Sequence, residues 1–535
     1  MKKYIFVTGG VCSSLGKGVA ASSLGSLLES RGLSVCMVKI DPYLNVDAGT
    51  MSPFQHGEVF VTDDGAETDL DLGNYARFTR SPLSAANSIT TGQIYQEVIR
   101  KERKGDYLGK CVQVVPHITD EIKRRIYSLG ERENTDITIV EIGGTVGDIE
   151  SIPFLEATRQ IVHEGSRSNA LSVHVSLIPT VSDGELKTKP TQHSVKALRE
   201  IGIQPDILLC RVPTEMSDDM KRKIASFTNV GYESVFSAHD VKSMLYDIPI
   251  IYRIQGLDRT VCERLLLDCS EDTFADWQRI SDTWKNAGET VEIAMVGKYI
   301  DLEDSYKSVD ESLVHGAISN AVRIKIRKVD SENLTSPEET EIALAGVSGL
   351  IIPGGFGQRG ISGMIDSVRL ARERRIPFLG ICLGMQIQVI EWARNVIGLK
   401  DANSGEFEPD GSHNVIVLLE DQVDVTQYGG TMRLGRSESV AVEGSLIHAA
   451  YGTRSIFERH RHRYEVNNKY RAAFEESGLI FSAFTPDGQL IESAEWPDHP
   501  WAVGIQFHPE FNSTPLQTAC LFRDFIAAAV DRMRA

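Results

Sequence analysis

The chain has 535 residues, of which 41% are hydrophobic and 24% are charged, and it carries a formal net charge of −18 at pH 7. One hydrophobic core cannot serve so long a chain, so we expect roughly two to four folded units. The composition is that of a globular protein and excludes a disordered or fibrous one. The acidic balance disfavours non-specific binding to nucleic acid, because like charges repel.

The eight cysteines are spread along the chain without a C-x-x-C pair. This distribution is typical of reduced thiols and not of a disulfide or zinc framework. Only four apolar residues, 4–7, stand together before Thr8, which is too few for the core of a signal peptide. The sequence also has no run near the roughly 20 apolar residues that a membrane-spanning helix needs. We therefore expect a cytoplasmic protein without a membrane partner.

Short apolar runs alternate with helical patterns, which predicts an α/β fold with parallel sheets. A helix is predicted at residues 17–31, and Gly32 ends it. The strands predicted in the first half are residues 4–7, 34–40, 137–142, 171–178 and 207–210.

The composition changes near residue 268, where a polar, weakly patterned stretch begins. We predict a first domain at residues 1–267, a linker with room for one short helix at 268–290, and a second domain at 291–535. The strands predicted at the start of the second domain are residues 292–296, 324–329, 350–352 and 377–381. Further β-rich segments begin at residue 415, and a last helix is predicted at 516–533.

The first strand leads into a glycine-rich loop, GGVCSSLGKG at residues 9–18, which precedes the first helix. Backbone N–H groups of such a loop, the helix N-terminus and a lysine together favour phosphate. The usual pattern is G-x-x-x-x-G-K-[ST], but here five residues separate Gly10 from Gly16, and Gly18 replaces the Ser or Thr that ligates Mg²⁺. A glycine-rich packing turn is the alternative interpretation.

If Gly18 cannot hold Mg²⁺, carboxylates elsewhere must do so, because this ion requires oxygen ligands and bridges nucleotide phosphates. Glu141 ends an apolar run before two glycines, and Asp71 lies in an acidic loop bounded by glycines. The alternative is that both residues are ordinary surface acids. For Asp71 taken alone, this alternative is the better interpretation. Lys39, at the end of the second strand, would reach the same phosphates.

A second set of donors is KTKPTQ at residues 187–192. Two lysines around a threonine, with a proline in the turn, suit a second triphosphate. A solvated loop has the same composition, so this motif alone does not decide between the two.

The second half contains PFLGICLGMQ at residues 377–386, which predicts a strand, a tight turn and a helix around Cys382. G-x-C-x-G is the thiol form of the nucleophile elbow, and a helix N-terminus beside the sulfur favours the thiolate. A buried structural cysteine is the alternative.

A thiolate needs a base, and QFHPE at residues 506–510 provides candidates. If this segment is extended, His508 and Glu510 project to the same face, so that Glu510 orients the imidazole. PGGFG at residues 353–357 follows a strand and would supply one oxyanion N–H, with the N–H after Cys382 as the other.

PGGFG, LGICLGMQ and QFHPE resemble the class I glutamine amidotransferases. GGVCSSLGKG, DPYLNVDAGTMSP, GAETDLDLG, VEIGGTVGDIES and GELKTKPTQHS resemble the synthetase domain of the CTP synthase family, and these motifs occur in order along nearly the whole chain. The resemblance implies an N-terminal P-loop-like parallel-sheet domain, the synthetase or amidoligase, and a C-terminal class I glutamine amidotransferase α/β domain.

The resemblance also implies a reaction. ATP, with Mg²⁺, phosphorylates O4 of UTP, and ammonia from L-glutamine, released through a Cys382 thioester, displaces the phosphate to give CTP. An enclosed path would keep the ammonia unprotonated and exclude water. The family further implies GTP as an activator, CTP as a feedback inhibitor and a homotetramer.

The resemblance assigns site residues by position, beginning with the catalytic Cys382, His508 and Glu510. The residues implied for ATP are Ser14, Leu15, Gly16, Lys17, Gly18, Val19, Lys39, Asp71 and Val241. Those implied for UTP or CTP are Ser13, Asp148, Ile149, Glu150, Lys187, Thr188, Lys189, Pro190, Thr191, Gln192 and Lys223. Those implied for glutamine are Gly355, Leu383, Gly384, Met385, Gln386, Glu406 and Arg463. The metal ligands would be Asp71 and Glu141, and GTP is expected near Arg359 and Arg433.

Two positions depart from the family pattern. His239 stands near the implied ATP base site, where lysine is more usual, and residues 418–428 look short. Three other functions stay open at this point. An amidoligase that makes cofactor diamides is disfavoured by Glu510 and by residues 187–192, and a positioning ATPase would have no use for the cysteine set. A filament-forming structural protein is compatible with catalysis.

Overall fold

The structure of the protein, a computed structural model, describes residues 2–52, 56–164, 168–181, 184–241, 243–270, 274–419 and 432–535. The chain forms two compact units. Unit 1 comprises Met1–Asp47 and Asp71–Asp282, and unit 2 comprises Ala48–Leu70 and Thr283–Ala535. Residues 48–70 thus fold with the second unit although they lie early in the sequence. The division at residues 268 and 290 stays a prediction.

The strands of the described residues, in chain order, are β1 (Lys3–Gly10), β2 (Val35–Asp41), β3 (Phe60–Val61), β4 (Glu67–Thr68), β5 (Ser88–Thr90), β6 (Ile137–Ile142), β7 (Ala170–Leu177), β8 (Ile207–Val212), β9 (Val235–His239), β10 (Thr290–Gly297), β11 (Arg323–Asp330), β12 (Gly349–Ile352), β13 (Phe378–Ile381), β14 (Ala402–Ser404), β15 (His413–Leu418), β16 (Arg433–Ala441), β17 (Ser455–His462), β18 (Tyr464–Val466), β19 (Ile480–Phe484), β20 (Ile491–Glu495) and β21 (Ala502–Ile505).

The α-helices of the same residues are α1 (Lys17–Ser30), α2 (Asp71–Phe78), α3 (Thr91–Lys104), α4 (Thr119–Arg132), α5 (Ile152–Glu164), α6 (Lys189–Glu200), α7 (Asp218–Thr228), α8 (Ile248–Ile254), α9 (Leu257–Leu265), α10 (Ala275–Asn286), α11 (Lys307–Ser319), α12 (Pro337–Ala343), α13 (Ile361–Glu373), α14 (Leu383–Trp392), α15 (Leu446–Tyr451), α16 (Arg471–Glu476) and α17 (Cys520–Arg534).

The described part of unit 1 is built on a parallel sheet in the order β5-β2-β6-β1-β7-β8-β9. The central strand β1 pairs with β6 and β7 on its two sides, which places Phe6 opposite Val140 and Ser172. Every residue of β6 is buried, as in a sheet covered by helices on both faces. Ligands of such sheets bind at the carboxyl ends of the strands, where the loops after β1, β2 and β6 meet.

Unit 2 contains a second sheet, described in the order β11-β10-β12-β13-β21-β20-β19-β16-β17. The strands from β11 to β21 run parallel, and the remaining pairs are antiparallel. The small sheets β14-β15-β18 and β3-β4 complete this unit. The predicted α/β class is therefore confirmed for both halves of the chain.

Individual elements follow the sequence pattern closely. The strand predicted at residues 137–142 is confirmed as β6, and β1 extends beyond the predicted residue 7 to Gly10 because residues 8–10 continue the pairing with β7. Helix α1 ends at Ser30, one residue before the predicted end; Arg31 caps it, and Gly32 follows with φ +81°. The last helix begins at Cys520, later than predicted.

The cysteine prediction is wrong at one pair. Cys262 and Cys269 form a disulfide between α9 and the segment that follows it. Leu266 caps α9 in the left-handed conformation, with φ +51°, and turns the chain back toward the helix. The C-x₆-C spacing gave no indication of this turn. The other six cysteines carry free thiols.

Two expectations remain, one on the stretch at residues 418–428 and one on membrane-spanning helices. Residues 420–428 of the stretch that looks short lie outside the described residues. Across the described ranges, none of the helices combines the length and the apolar character needed to cross a membrane.

Candidate active sites

The loop between β1 and α1 has an unusual backbone. Val11, Ser14 and Gly16 all take positive φ, of 84°, 56° and 79°. Ser13 and Ser14 are exposed, whereas Leu15 is buried and anchors the loop. Positive φ in non-glycine residues stores strain that persists at ligand sites. The loop therefore has the exposure and shape expected of a phosphate-binding loop.

Lys17 is the first residue of α1, and its side chain folds back over this loop. Its Nζ donates to the carbonyl of Gly144, at 2.7 Å. A Cβ on Gly9 would lie 2.6 Å from Cδ of Lys17, so glycine there makes room for the lysine stem. Burial lowers the pKa of Lys17, and the Glu141 carboxylate opposes this effect. Lys17 is thus held at the helix N-terminus, where a phosphate would lie.

Gly18 has no room for a side chain, because the carboxylate of Asp71 lies beside it. A Cβ at this position would lie 2.1 Å from Oδ1 of Asp71 and 3.0 Å from its Cγ. The Asp71 carboxylate therefore occupies the space that a Ser or Thr side chain would fill in an ordinary phosphate loop.

Asp71 belongs to a buried cluster of charged groups at the ends of β2 and β6. The ammonium of Lys39 forms ion pairs with Asp71, with Asp41 at 3.2 Å and with Glu141 at 3.7 Å. The Tyr75 hydroxyl donates to Glu141. Burial and the neighbouring Asp71 raise the pKa of Glu141 to about 7, although Lys39 opposes the rise. The carboxylate oxygens that surround the Lys39 ammonium are the type of ligand that a hard ion such as Mg²⁺ prefers.

Gly18→Ala is expected to reduce the ATP-dependent amination that the family resemblance implies about 100-fold, because the added methyl group displaces the Asp71 carboxylate and a misplacement of about 1 Å can cost that much. Glutamine hydrolysis without nucleotides should stay within about twofold of the wild type, since unit 2 is unchanged. Both rates can be measured as ammonia-dependent CTP formation and glutamate release. Gly288→Ala is the matched control, because a Cβ there meets nothing within 4 Å. Full amination activity in Gly18→Ala would contradict this account of the loop.

The segment 187–192 divides into anchored and exposed residues. Thr188 precedes α6 and Pro190 lies in its first turn. Thr191 is buried, accepts from the Ser176 hydroxyl at 3.0 Å and donates to Leu177, so it fixes the turn. Gln192 donates to the Thr188 hydroxyl, at 3.1 Å.

The remaining residues implied for nucleotides are dispersed over unit 1. Asp148, Ile149 and Glu150 are exposed where a 3₁₀ turn, Ile149–Ser151, begins. Lys187, which is half-buried, pairs with Glu185 at 2.5 Å, and Lys189 is exposed. Lys223 is exposed on α7, and Val241 and His239 are half-buried beside the end of β9. Within the described parts of unit 1, no hydrogen bond or ion pair joins Asp148, Lys187 and Lys223. The sequence predicted an ATP site and a separate UTP or CTP site in this half of the chain, and the residues assigned to the second site stay a prediction.

In unit 2, β13 ends at Ile381 and α14 begins at Leu383, so Cys382 forms the turn between them. Cys382 has φ +53° and ψ −100°, a strained conformation for a non-glycine residue. The two glycines of G-x-C-x-G are needed because a side chain at either position would not fit, whereas the strained backbone belongs to Cys382 itself. A Cβ on Gly384 would lie 2.2 Å from the carbonyl of Ile352, and one on Gly380 would lie 2.7 Å from the backbone of Gly384.

His508 and Glu510 are brought together, but by a different route from the one predicted. Residues Pro509–Phe511 form a 3₁₀ turn after β21, so the prediction of an extended segment is wrong. Pro509 fixes φ near the helical value and cannot continue a ladder. The tight turn places Nδ1 of His508 2.7 Å from Oε1 of Glu510.

The ionisation of His508 follows from these neighbours. Burial alone would lower the pKa of His508, but the Glu510 carboxylate and the Cys382 sulfur raise it to about 10. In the described residues Nε2 of His508 has no hydrogen-bond partner. A Cβ on Gly354 would lie 3.0 Å from Cε1 of His508 and 3.7 Å from Cβ of Cys382, so both side chains border this glycine.

These side chains border a cavity of about 80 Å³ within unit 2. Its lining includes Cys382, His508 and Glu510, the loop residues Gly354 and Gly355, and also Val59, Tyr299 and Arg461. The N–H of Leu383, at the start of α14, has no acceptor within the helix and is available to an oxyanion. The side chain of Gln506 donates to the sulfur of Cys382, at 3.5 Å.

The residues implied for glutamine lie around the same elbow. Leu383, Gly384, Met385 and Gln386 are buried in the first turn of α14. Gln386 donates to the carbonyl of Tyr464, at 3.0 Å. Glu406 accepts from the N–H of Gly357, at 2.6 Å, and burial raises its pKa. Arg463 is half-buried just after β17.

The two arginines expected near GTP are engaged in separate ion pairs. Arg433 is half-buried and pairs with Glu465 at 3.0 Å and Glu492 at 2.6 Å. Arg359 pairs with Glu332 at 3.2 Å.

The sequence analysis did not identify Lys298, Arg461 or Gln506 as site residues. Gln506 stands inside QFHPE, which was noticed for its histidine and glutamate, and Arg461 lies two residues before Arg463, which the resemblance implied for glutamine. Lys298 follows the carboxyl end of β10 directly, a position that often carries function in parallel sheets.

The comparisons with known proteins agree with both halves of this description. The family described as the CTP synthase N-terminus matches residues 3–267, and the class I glutamine amidotransferase family matches residues 301–528. A CTP synthase of Desulfitobacterium hafniense is 54% identical over 531 residues, 99% of each chain. One of Geobacillus kaustophilus is 52% identical over 531 residues, 99% of this chain and 100% of the relative.

A solved structure, the glutaminase domain of Trypanosoma brucei CTPS with bound acivicin, is 41% identical over 45% of this chain and 94% of that chain, with a TM-score of 0.43. The two family matches together define a ligase whose ammonia source is a class I glutamine amidotransferase. The chain belongs to the CTP synthase family, whose glutamine-hydrolysing members join carbon to nitrogen.

Proposed function

We propose that unit 2 releases ammonia from L-glutamine through a thioester on Cys382. The sulfur attacks the amide carbon, and His508 donates its Nε2 proton to the departing ammonia. Water then attacks the thioester, with His508 now accepting a proton, to give glutamate. The N–H groups of Leu383 and Gly355 would stabilise the oxyanion in both steps. The observation that carries this proposal is the convergence of Cys382, His508 and Glu510 on one cavity.

Unit 1 then transfers the γ-phosphoryl group of ATP to O4 of UTP. Ammonia attacks C4 and displaces phosphate, so the products are CTP, ADP, phosphate and glutamate. The loop residues 14–19 and Lys39 would hold the ATP phosphates, and residues 187–192, Ser13, residues 148–150 and Lys223 would hold UTP. Catalysis of this step rests on positioning and on neutralising the transferred charge, which suits the two buried lysines.

Asp71 and Glu141 would hold Mg²⁺ beside the ATP phosphates. Their fit rests on the Asp71 carboxylate, which takes the place of the usual hydroxyl next to Gly18. When bound, Mg²⁺ would supply positive charge that neutralises the phosphate oxygens. Lys39, which pairs with both carboxylates, keeps them oriented toward the loop.

The proposal extends to regulation and assembly as the family resemblance suggests. CTP carries the same triphosphate as UTP, so the donors at residues 187–192 would also accept it as an inhibitor. GTP would activate glutamine hydrolysis near Arg359, and the active form would be a homotetramer. The glutamine substrate would be held by Gly355, residues 383–386, Glu406 and Arg463.

The test of the whole proposal is an assay of the purified protein with UTP, ATP, Mg²⁺ and glutamine. CTP and glutamate should appear in equal amounts, and CTP should also form when ammonium chloride replaces glutamine. Failure of both reactions would reject the proposed function.

Glu510→Gln is expected to reduce glutamine hydrolysis about 10⁴-fold, as loss of the orienting acid does in such triads. The variant also removes the anion that raises the pKa of His508 to about 10, so this pKa should fall. The imidazolium is present below its pKa, and the alkaline limb of the pH–rate profile should therefore move to lower pH. A limb that stays in place would argue against the role of Glu510. Glu475→Gln, which breaks an exposed pair with Arg471, is the control.

A further inference from the structure

Lys298 is a buried lysine directly beneath the loop that borders the Cys382 cavity. It is 1% exposed and follows β10. Its Nζ donates to the carbonyl oxygens of Phe356, at 3.3 Å, and of Gly357. Lysine is almost never fully buried without a specific set of partners. Here the partners are the backbone of one loop, which indicates a task at that loop.

The loop is held from two opposite sides. The C=O and N–H of a peptide point in opposite directions, so fixing the Phe356 carbonyl also fixes the Gly357 N–H. That N–H donates to Oε1 of Glu406, at 2.6 Å. Gly357 has φ +79°, a conformation in which the adjoining peptides could otherwise rotate freely. Lys298 and Glu406 together select one orientation of these peptides.

The lysine stem and backbone are fixed as well. A Cβ on Gly355 would lie 3.6 Å from Cδ of Lys298, so the stem packs under the cavity-lining glycine. The N–H of Lys298 donates to the Tyr306 hydroxyl at 3.1 Å, and its carbonyl accepts from Arg359. These contacts leave the ammonium little freedom to move away from the loop.

The charge of this side chain persists at neutral pH. Burial lowers the pKa of Lys298 to about 8, with Arg359 acting in the same direction and the carboxylates of Glu406 and Glu332 opposing it. The Phe407 ring lies 5.5 Å from Nζ and adds a favourable cation–π contact. An ammonium is a stronger donor to carbonyls than a neutral amine.

We propose that Lys298 is a positioning residue for glutamine hydrolysis. Its ammonium holds the carbonyls of Phe356 and Gly357 beneath the loop, and so keeps the N–H of Gly355 turned toward the oxyanion that forms beside Cys382. The inference rests on the proposed glutaminase activity and adds to it a residue that never touches glutamine. It acts by preorganising donors, which is the largest single source of rate enhancement in acyl transfer.

The test uses Lys298→Met, which keeps the stem and removes the charge. We expect kcat for glutamine hydrolysis to fall about 100-fold, with KM for glutamine within about threefold, because only the transition state uses the oxyanion donors. Alkylation of Cys382 by iodoacetamide forms no oxyanion and should proceed within about threefold of the wild-type rate. Ammonia-dependent CTP formation should be unchanged within about twofold.

Lys325→Met, which removes an exposed lysine from β11, is the matched control and should alter none of these rates. The proposal is overturned if Lys298→Met keeps its glutaminase kcat within about threefold of the wild type. It is also overturned if alkylation falls together with kcat, since that would show general damage to the elbow. Absence of glutaminase activity in the wild type would instead reject the proposed function itself.

Discussion

Cys382→Ala is expected to abolish glutamine-dependent CTP formation, by a factor on the order of 10⁴ or more, while ammonia-dependent formation stays within about twofold of the wild type. The sulfur is the only atom that can carry the glutamyl group in the proposed mechanism. The residue lies in unit 2, and the amination step is assigned to unit 1. Steady-state assays with glutamine and with ammonium chloride separate the two effects.

Cys520→Ala provides the control for this variant. Burial raises the pKa of Cys520 to about 12, so its thiol is not a nucleophile near neutral pH. Both activities should survive its removal. If Cys382→Ala used glutamine at the wild-type rate, the assignment of the nucleophile would be wrong.

Lys17→Ala is expected to lose both reactions, with a fall on the order of 10³ in CTP formation from either nitrogen source. The ammonium lies at the N-terminus of α1, close to the carboxylate cluster, where it would contact the transferred phosphoryl group. Release of glutamate without nucleotides should continue, because the cavity of unit 2 is intact.

Lys3→Ala is the matched control, since Lys3 lies at the opposite end of β1 and donates to the carbonyl of Ser168 at 2.8 Å. It should leave both CTP-forming reactions unchanged. Retention of ammonia-dependent activity in Lys17→Ala would refute the phosphate-loop assignment and leave only the glutaminase half of the account.

Much of this fold could be predicted because its strands are short, apolar and buried. The run at residues 137–142 is mostly apolar and forms β6 with the predicted bounds. Gly18 was informative because its lack of a side chain conflicted with the ordinary loop pattern. The structure supplies the reason, since the Asp71 carboxylate lies where a side chain would be.

Other features depend on tertiary contacts that no local pattern encodes. The 3₁₀ turn Pro509–Phe511 replaces an extended segment, because Pro509 fixes φ near the helical value just before Glu510. Residues 48–70 join unit 2 through long-range pairs such as Arg459 with Asp63, at 2.6 Å, and Arg461 with Glu67, at 2.9 Å. Lys298 looks like a surface lysine in the sequence, and only its burial reveals its contacts with the loop.

The central claim is that the amide nitrogen of glutamine becomes the 4-amino group of CTP. The most direct measurement supplies the purified protein with amide-¹⁵N glutamine, UTP, ATP and Mg²⁺, and analyses the nucleotide by mass spectrometry. We predict CTP with one ¹⁵N atom, formed in equal amount to glutamate. Labelled ammonia in solution beside unchanged UTP, or ¹⁵N in an amidated carboxylate in place of CTP, would contradict the account.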